Sequence, residues 1–120
     1  MKKTIKIANK EYNLESTALT SLAYKKLFGE DILATLGSFK TDNITGAQAS
    51  DAIESVSKLA FVMNKQADGL PVKDLMHLKE DDFYEWLNQF EYGALYDADT
   101  IADILGVWSG NLTTSVKAKN

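Results

Sequence analysis

From Thr45 to Asp68 apolar positions recur at steps of three and four, the longest uninterrupted helical pattern in the chain. At 3.6 residues per turn Ala49, Ala52, Ile53, Val56, Leu59, Ala60, Met63 and Ala67 share one face. Thr45 with Gln48 three residues on predicts a capping-box start, and Gly69 with Pro71 the stop. Such a helix runs about 36 Å at 1.5 Å per residue. Phe61 and Val62 point away from the stripe. Either other elements cover them as well, or they offer apolar surface to a partner.

Before this helix the pattern has a different period. Ile5 and Ile7 alternate with Thr4 and Lys6, and Tyr12 and Leu14 repeat the alternation after Asn9-Lys10. Two short runs around an asparagine turn predict a β-hairpin. A lone hairpin is only marginally stable, so its apolar side must pack on helices. Ser16 or Thr17 can cap a first helix carrying Leu19, Leu22, Ala23 and Leu27, ended by Gly29. Glu30 and Asp31 then sit at the positive start of a short helix with Ile32, Leu33 and Leu36, closed by Gly37. Ser38 to Ile44 reads as a polar loop, and Leu70 to Leu78 as a loop or one helical turn after Pro71.

The stretch LKEDDFYEWLNQFEYG opens with acids that suit a helix dipole and places Phe83, Trp86, Leu87 and Phe90 on one stripe. Rings of this size bury a large area, which makes the stripe a core anchor. Asp97 can cap a last helix with Ile101, Ile104, Leu105 and Trp108. From Ser109 the chain is polar and short of aromatics, which predicts a frayed tail. The fold class is therefore mainly α (α+β): an N-terminal hairpin over residues 1–15 packed on a compact bundle of about five helices over 16–109. Together these form a single globular domain, 1–109, with a flexible tail over 110–120.

With 120 residues there is enough chain for one core. A net charge of −4 argues against nucleic acid, whose phosphates need a basic face. Without cysteine there is no disulfide, no thiol nucleophile and no thiolate-held metal. No apolar run approaches the ~18 residues of a membrane span, and the lysine-led start lacks the apolar core of a signal peptide. The chain is expected to stay in the compartment where it is made.

Candidate chemistry is sparse. Glu80, Asp81, Asp82 and Glu85 beside His77 are the one grouping that suits a divalent cation or acid–base work, with Asp81 and Glu85 on one face. The helix dipole alone also favours acids there, and His77 is the chain's single histidine. No serine stands in a nucleophile elbow and no glycine-rich phosphate loop is present. Lys25 and Lys26 before Phe28 make a basic, aromatic spot too small for a nucleic-acid groove. These readings point away from an enzyme, a metal and a cofactor.

The opening KKTIKIANKEYNLESTALTSLAYKKLFGEDIL resembles the start of small tail assembly chaperones from long-tailed phages and prophages of Gram-positive bacteria. Ile5, Ile7, Asn9, Lys10, Tyr12 and Leu14 match that family's hairpin pattern, and Leu27, Phe28, Gly29, Asp31, Ile32 and Leu33 its following helix end. DDFYEWLNQFE and the closing IADILGVWSGNLTTSVKAKN are similar as well, so the resemblance covers nearly the whole chain. It implies binding of the tape measure protein, a long, aggregation-prone helical chain, which is kept soluble while tube subunits assemble around it. The major tail tube protein is a further implied partner. The expected place is the bacterial host cytoplasm, not the mature virion. Helix-in-groove recognition suits two helical partners, and Phe28, Phe61, Val62 and Tyr84 are the expected partner-binding residues. Each lies beside a core stripe and so also has an ordinary core reading.

The family commonly makes a longer product by a frameshift near the end of the short frame. The closing Ala118-Lys119-Asn120 can be encoded by a slippery GCA AAA AAC, which would make the tail a linker to the extension. An alternative from another class is a small acidic adaptor or inhibitor of a host protein. Binding to an apolar face should survive salt that abolishes charge-driven binding. A tail tube subunit would need far more strand. The hairpin's exposed edge leaves self-association open.

Overall fold

The computed structural model describes residues 1–37, 46–91 and 93–117. Two strands, β1 (Lys2–Ile7) and β2 (Lys10–Glu15), lead into α1 (Ala18–Phe28), α2 (Ile32–Gly37), α3 (Gly46–Ala67), α4 (Val72–Leu75), α5 (Glu80–Leu87) and α6 (Ala98–Lys117), with a 3-10 turn at Ala94–Tyr96 before α6. The mainly helical, hairpin-on-bundle class read from the sequence is the one observed. The Thr45 cap and the Ser38–Ile44 loop lie outside the described residues.

The hairpin pairs antiparallel from Lys2↔Glu15 to Ile7↔Lys10. Its turn is therefore Ala8-Asn9, one residue earlier than the sequence suggests, with φ of 53° and 68°. Both residues take the left-handed conformation that two-residue hairpin turns require. Asn9 tolerates it, whereas Ala8 adopts it against the clash of its Cβ. The apolar side of the hairpin, with Ile5, Ile7 and Leu14 buried, rests on α3 and α6.

Helix α3 is the centre of the fold. It touches β2, α1, α2, α4, α5 and α6, and every residue from Leu59 to Asn64 is buried. A helix buried all round has no outward stripe. That settles the position of Phe61 and Val62, both with no exposed surface. The Phe61 ring meets Phe83 at 5.5 Å and Trp86 at 5.6 Å between centroids. The expectation that these two residues present apolar surface to a partner is corrected, and the other reading, that further elements cover them, holds, with α5 on Phe61.

Two other expectations change. Leu22 is 58% exposed; Ala23 is buried as expected, with Leu19 and Leu27 partly so, and Thr20 and Tyr24 join Ala23 on the buried face of α1. The helix turns its threonine inward, where Thr20 finds a half-buried polar partner on α3, Gln66. The helix does not stop where the polar stretch begins, since α6 continues past Ser109 to Lys117. Leu112 and Val116 follow Trp108 at four-residue steps, so the helical period persists under the polar composition, and no proline interrupts it. Residues 118–120 lie outside the described part.

The caps act as read. Thr17 Oγ1 accepts from the Leu19 N–H at 3.2 Å, and Thr20 Oγ1 accepts from the Thr17 N–H at 2.9 Å. Asp97 accepts from both the backbone and the hydroxyl of Thr100. No described helix is long and apolar enough to cross a membrane.

Candidate functional site: an acidic-walled cleft beside Trp86

The last turns of α3 carry polar side chains inside an otherwise apolar packing, and each is spent on a neighbouring element. Gln66 donates to Thr17 Oγ1 at 2.8 Å and accepts from Thr20 Oγ1 at 2.6 Å, so one amide holds the capping box of α1. Asn64 donates to the Asn13 carbonyl of β2 at 2.9 Å and accepts from the Trp86 indole at 3.0 Å. A buried polar group costs little only when it is paired, and here the pairs fix hairpin, α1 and α5 against one helix.

This arrangement leaves a cleft of about 520 Å³ between the end of α3 and α5. Its floor is the half-buried Tyr12, Leu70 and Leu78, with Trp86 beneath them at only 7% exposure. Tyr12 and Trp86 both lean on Phe90, at 5.4 and 4.9 Å between centroids. Its walls carry Lys65 and Asp68 on one side, and Asp82, Glu85 and Gln89 on the other. The last three are spaced three and four apart, on one face of α5 and its continuation. Lys65 inclines toward the Phe61 ring at 5.8 Å, and Asp82 accepts from the Lys79 N–H at 2.9 Å. Burial raises the Tyr12 phenol above its ordinary pKa, and its hydroxyl donates to Gln89 at 3.3 Å.

A second cleft, about 420 Å³, lies by the hairpin turn against Gly93 and the start of α6. Asp97, Asp99, Asp103 and Lys6 charge it. Across the described residues no three histidine, cysteine or acidic side chains converge closely enough to hold a metal ion. His77 is exposed, with Nδ1 at 2.6 Å from the Lys73 carbonyl, so it is turned to its own backbone rather than to the α5 acids.

The four residues expected to bind a partner do not converge. Phe61 and Val62 are interior. Phe28 is half-buried, meeting Tyr24 at 5.1 Å and Phe83 at 5.3 Å, with Lys58 Nζ 5.0 Å above its ring. Tyr84 is 54% exposed and hydrogen-bonds Glu80 at 3.1 Å. That bond to a carboxylate raises its pKa, and its position on α5 is well round from the cleft side of Asp82 and Glu85.

Beside Phe28, Lys58 bridges Glu30 at 3.0 Å and Glu54 at 3.3 Å. Burial lowers its pKa, but the hydrogen bonds it donates to the two carboxylates, with their charges, outweigh that and hold it raised. Tyr24 lies fully buried nearby. Burial, reinforced by the Glu30 charge, pushes its phenol up to about 12, while the Ser55 hydroxyl pulls the other way from outside hydrogen-bond geometry.

The cleft was missed in the sequence because its floor comes from three separate segments. One signal was present: Asp82, Glu85 and Gln89 form a polar stripe beside an aromatic one. No family model, no curated protein and no solved structure matches the chain.

Proposed function

We propose that this protein is a tail assembly chaperone that binds the tape measure protein, keeps it soluble and promotes assembly of the tail tube around it. It acts in the bacterial host cytoplasm and leaves before the virion is mature. The observation that carries the reading, beside the resemblance of the sequence, is the open cleft at Trp86. An apolar floor between polar walls suits the side chains of an amphipathic helix, the form in which a long helical client presents itself. The work asked of such a chaperone is to cover apolar side chains reversibly, which a partly aromatic floor suits.

Co-expression with the tape measure protein tests the reading through the soluble fraction of that client. The chaperone reading expects a clear rise with the wild-type chain and a reduced rise with Glu85→Lys, an exposed wall position. No rise, and no co-purification, counts against it. The acidic walls also suit a small acidic adaptor that blocks a host protein by charge. That alternative expects complexes that fall apart in high salt, whereas apolar seating survives it.

A further inference from the structure

The charges around the cleft are uneven, and their arrangement says more about an occupant than the floor alone. Three carboxylates face one ammonium in the lining. They are divided between the two walls, with Asp68 just after α3 and Asp82 and Glu85 on α5. Among the described residues neither Asp68 nor Glu85 makes a salt bridge, and both side chains are exposed. The lysine on the wall is drawn toward the Phe61 ring. Floor and walls together are therefore the negative of one particular shape: an apolar stripe flanked on both sides by positive charge.

We infer that the cleft is a docking site for a basic amphipathic helix of the partner chain. Its apolar side chains seat on the half-buried Tyr12, Leu70 and Leu78, and lysine or arginine side chains on either flank reach Asp68 and Glu85. The natural occupant's identity rests on the chaperone reading above, whereas the charge preference belongs to the cleft. Apolar seating supplies affinity, and the walls select among helices by repelling acidic ones. The second cleft, acidic but without an aromatic floor, serves as the internal comparison.

The probe is a synthetic helical peptide of leucine and lysine with one apolar face, set against its counterpart with glutamate at every lysine position. Each is titrated into the full chain by calorimetry. The lysine peptide is expected to bind and the glutamate peptide not. Asp68→Lys with Glu85→Lys should weaken the lysine peptide on the order of tenfold and admit the glutamate peptide. Asp99→Lys with Asp103→Lys, at the second cleft, should leave both unchanged. Equal binding of the two peptides, or equal loss from both double variants, overturns the inference. So does a concentration-dependent dimer of the chain that Asp68→Lys with Glu85→Lys abolishes, since it assigns the cleft to a second copy. Selective lysine-peptide binding without client rescue leaves the cleft assignment standing and removes the chaperone reading; rescue without peptide preference does the reverse.

Discussion

The indole N–H of Trp86 donates to Oδ1 of Asn64 at 3.0 Å, and the amide of that asparagine donates onward to the Asn13 carbonyl at 2.9 Å. Strand, central helix and α5 thus meet at a single buried side chain. Asn64→Leu keeps the volume close but leaves an indole N–H and a carbonyl without partners. It is expected to cost about 3 kcal/mol in urea unfolding. A loss well under 1 kcal/mol would mean that the three elements are held by apolar packing alone.

The clamp of Gln66 on the α1 cap predicts coupling between distant positions. Thr17→Ala and Gln66→Ala remove opposite ends of one bonded set. Their double-mutant cycle should show an interaction of about 1 kcal/mol, where independent sites would add.

Phe61→Ala and Tyr84→Ala should separate cleanly. Phe61 is sealed among Phe83 and Trp86, and its truncation is expected to cost about 3–5 kcal/mol. Tyr84→Ala should leave the unfolding midpoint unchanged, since its ring is largely in solvent.

The buried Tyr24 phenol gives a pH dependence. Its folded pKa lies above the ordinary 10.0, at about 12. The neutral form is the one the core holds, so this contribution to stability is whole below pH 10 and is lost as pH rises toward 12. Lys58, also raised in the fold, loses its contribution on the same alkaline side. Tyr24→Phe should flatten the alkaline fall without abolishing it. At neutral pH it should cost little, because among the described residues the hydroxyl has no hydrogen-bond partner to lose. Thermal unfolding from pH 8 to pH 12 checks both points.

Two small residues stand where the other would serve stability better. Gly106 lies inside α6 with open space where a Cβ would go, so Gly106→Ala should stabilise by about 0.5–1 kcal/mol. Ala8 sits at φ 53° in the hairpin turn, and Ala8→Gly should relieve about 1 kcal/mol of backbone strain. Gly29 is the opposite case: at φ 72° it ends α1, and an alanine there should destabilise.

What the sequence disclosed was local. The hairpin follows from the alternation Ile5, Ile7, Tyr12, Leu14, the caps from Thr17 and Asp97, and the aromatic anchor from Phe83 and Trp86. Each of these is a short-range pattern with its own periodicity. The surroundings of Phe61 and Val62 were not legible, because whether a second helical face is covered depends on what packs there, as α5 does on Phe61. Leu22 misled for a related reason. Its spacing fits a stripe, but Thr20 turns inward to meet Gln66 and Leu22 is left exposed. Asn64 and Gln66 were the available hint, two amides set into an apolar run, and their partners lie 22 to 51 residues away. The polar composition after Ser109 concealed a helical period that Leu112 and Val116 continue.

The most direct test of the cleft as the binding face is a nuclear magnetic resonance footprint. The labelled chain is titrated with helical segments of the tape measure protein while the Trp86 indole, the Tyr12 ring and the amides of Asp68 and Glu85 are followed. The account predicts shifts concentrated on those groups, with the Tyr84 ring and the amides of Asp99 and Asp103 unmoved. Shifts centred on Tyr84 and Phe28, with the Trp86 indole silent, would contradict it.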